Sequence, residues 1–125
     1  MRIQIEWDNG SVKGTLEDTP TARALVAALP FSSRAHTWGD EVYFEAPVQV
    51  ALEPAARQVV DPGTVCFWVQ GNSLALPFGP TPVSEGRECR LVTAVNILGR
   101  LDGDPTILAS IEDGDSIRVW ALDDG

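Results

Sequence analysis

Polar and apolar residues alternate from Arg2 to Trp7, which puts Ile3, Ile5 and Trp7 on one face and Arg2, Gln4 and Glu6 on the other. A period of two is the mark of a half-buried strand. Asp8-Asn9-Gly10 then predicts a hairpin turn, because Asn and Gly tolerate the positive φ that tight turns demand. A second strand is expected through Val12, Gly14 and Leu16. The period changes after Thr19-Pro20-Thr21, where a hydroxyl can cap a helix and proline fits the first turn. Ala22, Leu25, Val26 and Leu29 recur at helical spacing, so one short α-helix is expected over about residues 20–29, ended by Pro30.

Further strands are expected over Phe31 to Trp38, Val42 to Phe44 and Val48 to Leu52, with Gly39 as the flexible corner of Trp38-Gly39-Asp40-Glu41. Asp61-Pro62-Gly63 is a turn signal, and Thr64 to Val69 with Leu74 to Phe78 read as a hairpin joined through Gln70-Gly71-Asn72-Ser73. Pro80 and Pro82 stop further pairing, since proline cannot donate to a ladder. Leu91 to Leu101 is a long apolar run containing one amide, Asn96. Thr106 to Ile111 fits either a short helix or a strand, and Ile117, Val119 and Ala121 set one face of a last strand. Many short strands with frequent turns and one helix predict a single mostly β domain over residues 1–125, a closed barrel or a sandwich.

Composition narrows the partners. Nine basic against eighteen acidic side chains give a net charge of -9, which repels phosphate backbones and anionic membrane surfaces, so neither nucleic acid nor membrane is an expected partner. The charge is read first as colloidal solubility, ahead of an acidic site for a cationic ligand. No apolar stretch reaches the ~18 residues a membrane helix requires, and Met1 to Trp7 lacks the apolar run of a signal peptide. A soluble, cytoplasmic protein is expected, with Cys66 and Cys89 as reduced, buried thiols.

Two segments stand out: Trp38-Gly39-Asp40-Glu41-Val42-Tyr43-Phe44, and the stretch from Asp61-Pro62-Gly63 through Phe67-Trp68 to Leu74-Ala75-Leu76-Pro77-Phe78-Gly79-Pro80-Thr81-Pro82. With Asn96-Ile97-Leu98-Gly99-Arg100-Leu101 in the same order, the chain resembles the small prokaryotic cyclophilin-like family, whose members are mostly of unknown function. The resemblance implies a closed, eight-stranded β-barrel with the helix capping one end. In true cyclophilins a strand arginine, an aromatic five residues on and a glutamine eight residues on bind proline peptides. Here the only arginine in the matching region is Arg34, and the positions five and eight beyond it hold Gly39 and Val42. The isomerase pattern is absent.

Period two places Arg34, His36 and Trp38 on one strand face, and Glu41, Tyr43 and Glu45 on one face of the next. Converging, those faces would line a pocket in which a glutamate beside tryptophan has its pKa raised by desolvation. The bland alternative is a cross-strand ion pair of Arg34 with Glu41 or Glu45, with the aromatics in the core. The second segment adds Trp68, Phe78 and the turn amide of Asn72 to the candidate ligand-binding residues. His36 is the only histidine, which excludes the usual catalytic zinc sets and leaves one imidazole for any triad. Asp102-Gly103-Asp104 and Asp113-Gly114-Asp115 are turn chemistry before they are metal sites. The expected function is binding of a small molecule or short peptide in an aromatic-lined cleft, without prolyl isomerase chemistry, cofactor or metal, as a monomer or weak homodimer. The alternatives are a peptidyl-prolyl isomerase or other weak enzyme, and a protein-protein interaction module.

Overall fold

The computed structural model describes residues 1–122. The first two strands, β1 (Arg2–Trp7) and β2 (Gly10–Leu16), form the expected hairpin, with Trp7 opposite Gly10. The helix α1 spans Pro20–Ala27, and the Thr19 side chain accepts from the Ala22 amide at 3.1 Å. It stops short of the expected end because Pro30 disfavours helical backbone at Leu29. Eight more strands follow: β3 (Phe31–Arg34), β4 (His36–Thr37), β5 (Glu41–Glu45), β6 (Arg57–Val60), β7 (Thr64–Trp68), β8 (Ser73–Pro77), β9 (Cys89–Leu101) and β10 (Ser116–Ala121).

The antiparallel strands run in the order β3-β10-β1-β2-β9-β7-β8-β5-β4, with β6 paired separately to β9. The two ends of that order, β3 and β4, are separated in the chain by Ala35 alone, so the sheet must curl until its edges meet. Ala35 is the corner: its N–H donates to Asp115 at 2.8 Å and its carbonyl accepts from Gly114 at 2.8 Å, before the chain passes to β5. Counting β3 and β4 as halves of one stave gives eight staves around a nearly closed barrel, with β6 outside it. Closure removes the exposed edges that a small sheet must otherwise protect.

Inward residues of the staves fill the main core, among them Ile3, Ile5, Phe44, Phe67, Leu76 and Ile117. Leu25 of α1 is fully buried in the same core. Gly99 permits the tightest contact in the wall: a Cβ there would lie 2.0 Å from the Thr15 carbonyl oxygen on β2. In the Asp-Gly turns Asp104 accepts from the Thr106 amide at 2.9 Å and Asp115 from the Glu112 amide at 2.9 Å, while Asp102 accepts from the side chains of Arg2 and Thr15.

One local expectation is corrected, one strand appears that the sequence did not announce, and one open reading is decided. Val48 to Leu52 is not a strand but an irregular segment, because its polar backbone is met by the Asn96 side chain rather than by a ladder. Asn96 Nδ2 donates to the Ala51 carbonyl at 3.0 Å and to Thr21 Oγ1 at 2.9 Å, while its Oδ1 accepts from the Glu53 amide at 2.7 Å. Residues 57–60 form a strand without alternating in sequence, because the long β9 offers them a partner. Pro105–Ser110 is a 3₁₀ turn that drives Leu108 into the core.

Candidate functional site

A second, smaller cluster of buried residues lies on the outer face of the barrel wall, built from Cys66 on β7, Ala75 on β8, and Val60, Cys89, Leu91 and Val95 from β6 and β9. The register explains why these side chains meet. Tyr43, Ala75 and Cys66 form one row across β5, β8 and β7, facing away from the main core that Phe44, Leu74 and Phe67 enter. The N-terminal half of β9 leaves the barrel and, with β6, folds over that row. Between the pairs Arg57↔Val95 and Val59↔Arg90, β9 advances five positions while β6 advances two. The surplus is a bulge, fastened where Gln58 Nε2 donates to the Leu91 carbonyl at 3.0 Å.

Under this bulge is a cavity of about 220 Å³. Trp38, Glu41, Tyr43 and Trp68 line it, with Ala75, Leu91, Val92 and Val95 as the aliphatic remainder. Val92, 56% exposed, marks its rim. A two-residue turn sets two of these side chains: the Trp38 amide donates to the Glu41 carbonyl at 2.9 Å around Gly39 and Asp40, with Gly39 at φ +60°. Trp38 and Glu41 therefore stand opposite each other on the same outward face. Trp68 lies over the β7-β8 turn, where a Cβ on Gly71 would come within 2.3 Å of the indole Cε3.

The polar inventory of the cavity is small and unmet. Glu41 is 6% exposed, and its Oε1 has no hydrogen-bond partner. Burial pushes its pKa from 4.5 up to about 7, because the apolar surround disfavours the charged form. The Trp68 Nε1–H is likewise buried and unpartnered. Buried polar atoms in native proteins are nearly always bonded, so two orphans on one cavity are uncommon.

The eight candidates drawn from the sequence divide. Trp38, Glu41, Tyr43 and Trp68 come together. His36 is opposite Tyr43 and stacks on it, with centroids 5.1 Å apart, but lies outside the cavity. Arg34 donates to the Gly114 carbonyl at 3.1 Å and pairs with neither Glu41 nor Glu45. Asn72 is in the β7-β8 turn at φ 48°, with its carbonyl accepting from Ala46 at 2.9 Å. Phe78 packs against the main core.

A family model described as cyclophilin-like matches residues 1–120. The chain belongs to the cyclophilin-like family. The solution structure of a hypothetical protein from Archaeoglobus fulgidus is similar to this cyclophilin-like domain throughout, at 35% sequence identity with a TM-score of 0.84, covering 98% of this chain and 95% of that one. A comparison with curated proteins finds no match. In this cyclophilin-like domain the cavity residues that the sequence did not reveal are Ala75, Leu91, Val92 and Val95. Ala75 belongs to a segment singled out above, but nothing in its alternation says which way it faces. The others depend on a bulge that no local pattern announces. Among the described residues, no three of His, Cys, Asp or Glu stand together as metal ligands, and no helix is long and apolar enough to cross a membrane.

Proposed function

We propose that this cyclophilin-like domain binds a small molecule in the cleft between the outer barrel wall and the β6-β9 ribbon. The observation that carries this reading is that Glu41 and Trp68, which line one otherwise apolar cavity, each bury a polar atom, Oε1 and Nε1, without a hydrogen-bond partner. Leaving a buried donor or acceptor unmade costs about 1–3 kcal/mol, so a ligand that supplies both partners gains that stabilisation on entry. The volume of about 220 Å³ suits a compact ligand or a single side chain of a peptide, below the ~300–1,000 Å³ of drug-sized pockets. None of the lining residues is cationic, so the cavity offers no guanidinium to twist a prolyl amide.

Ligand-observed NMR of a fragment library tests the reading, with Trp68→Phe as the matched variant that keeps the ring and removes the N–H. Hits that bind the native chain and weaken in the variant support it. A library that yields no hit competing for this cleft removes it.

A further inference from the structure

Three aromatic side chains and one buried carboxyl group line a single small apolar cavity, and we infer that its ligand is an alkylammonium, its charge paired with the Glu41 carboxyl group and walled by Trp38, Tyr43 and Trp68. This inference rests on the ligand-binding reading above and commits it to a charge class. The faces of tryptophan and tyrosine rings are electron-rich, and a desolvated cation held against them is attracted by their quadrupoles. Tyr43 and Trp68 meet at 88° with centroids 5.9 Å apart, which makes a corner rather than a flat stack, and Trp38 stands on the adjoining β4-β5 turn. N-alkyl groups can contact such walls while the charge stays close to the rings.

Glu41 supplies the counter-charge. No Lys or Arg pairs with it among the described residues, where the ion pairs join Arg2 to Asp102, Arg23 to Asp18, Arg90 to Glu88, Arg100 to Asp61 and Arg118 to Glu6. A carboxylate sealed among apolar groups without a cation is unfavourable, and an entering ammonium completes it. A neutral ligand leaves that charge problem in place. The net charge of -9 further attracts cations toward the surface from which the cleft opens.

The other titratable groups around Glu41 are Tyr43 on its own strand, His36 stacked on Tyr43 from β4, Cys66 on β7 and Cys89 on β9, with Arg57 of β6 acting on Cys66 and Asp40 and Asp61 acting on Cys89 at longer range. Burial dominates at Glu41, so in the empty protein the group takes up a proton as the pH falls through about 7. A bound ammonium opposes that protonation. Cation affinity therefore rises from pH 5.5 to pH 8, while an aliphatic amine stays charged throughout that range.

Two probes of one shape separate charge from fit: protonated N,N-dimethylaminoethanol, and 3-methylbutan-1-ol, in which a carbon replaces the nitrogen. Both are titrated by NMR at pH 5.5 and pH 8, at high salt to screen the acidic surface. At pH 8 the amine is expected to bind about tenfold or more tighter than the alcohol, with the gap narrowing at pH 5.5. Glu41→Gln shrinks the gap at pH 8 and removes its dependence on pH. The half-buried Trp38 gives a second variant, Trp38→Leu, which weakens the amine more than the alcohol even if the first variant fails to fold. Equal binding of the two probes at pH 8 overturns the charge class and leaves the small-molecule reading intact. Failure of the amine to bind overturns the inference as well, and the fragment library then decides the cleft separately.

Discussion

The Trp68 indole and the Tyr43 ring meet at 88°, centroids 5.9 Å apart, although 25 positions separate the two residues in the chain. The link between them is β8, which pairs with β5 on one side and β7 on the other. Trp68 is held in place from behind by Gly71. This arrangement makes the aromatic walls of the cleft sensitive to one atom in the turn.

Gly71→Ala is expected to displace the indole, because the new Cβ would lie 2.3 Å from Trp68 Cε3 and 2.4 Å from Cζ3. Forced overpacking of this kind destabilises by roughly 1–3 kcal/mol. A changed tryptophan signature in near-ultraviolet circular dichroism, together with a lower urea midpoint, checks it. Unchanged spectra would show that the ring does not rest on this glycine.

Glu41 should impose a pH dependence on stability. Its folded pKa of about 7 is above the ordinary 4.5, so between those values the native state holds more of the proton than the unfolded chain does. Stability therefore falls as pH rises from about 4.5 to about 7 and then levels, by about 3 kcal/mol at most. Urea unfolding of the native chain and of Glu41→Gln at pH 5 and pH 8 isolates the effect, since other titrating groups are common to both. The variant should lose less stability than the native chain on going to pH 8.

Asn96→Ala removes three hydrogen bonds at once, to Thr21 Oγ1, the Ala51 carbonyl and the Glu53 amide. Buried partners left unmade put the expected loss at roughly 2–4 kcal/mol. Faster hydrogen exchange at the Glu53 amide would localise the damage to the segment that crosses the barrel end. Exchange that rises evenly over all strands would instead mark a loss of the whole core.

Cys66 and Cys89 are expected to resist thiol reagents at pH 8 while the protein is folded. Both are buried, and burial first, then the nearby Glu41 charge, raises the Cys66 thiol above its ordinary pKa. Burial is also the main reason that the Cys89 thiol is raised. A disulfide-exchange titration should find neither thiol in buffer and both in urea. Rapid labelling of Cys89 alone would show that the ribbon of β6 and β9 opens over the cleft.

Alternation and helical spacing determined the barrel's working parts before any coordinate: the first hairpin, the helix after Thr19, the β7-β8 hairpin and the inward faces of most strands. These are local, because a side chain's period and a turn residue's φ depend on near neighbours. Period two also showed that Glu41 and Tyr43 share one face of their strand, but it could not say that Trp38 and Trp68, on other strands, would join them. Only the tertiary structure decided that this face is the outside of the barrel and that Arg34, Asn72 and Phe78 fall elsewhere. Which face turns outward depends on pairings between distant strands, and the cover over the cleft depends on a bulge in β9. Both arise from contacts remote in the chain, and the local alternation of residues carries no record of them.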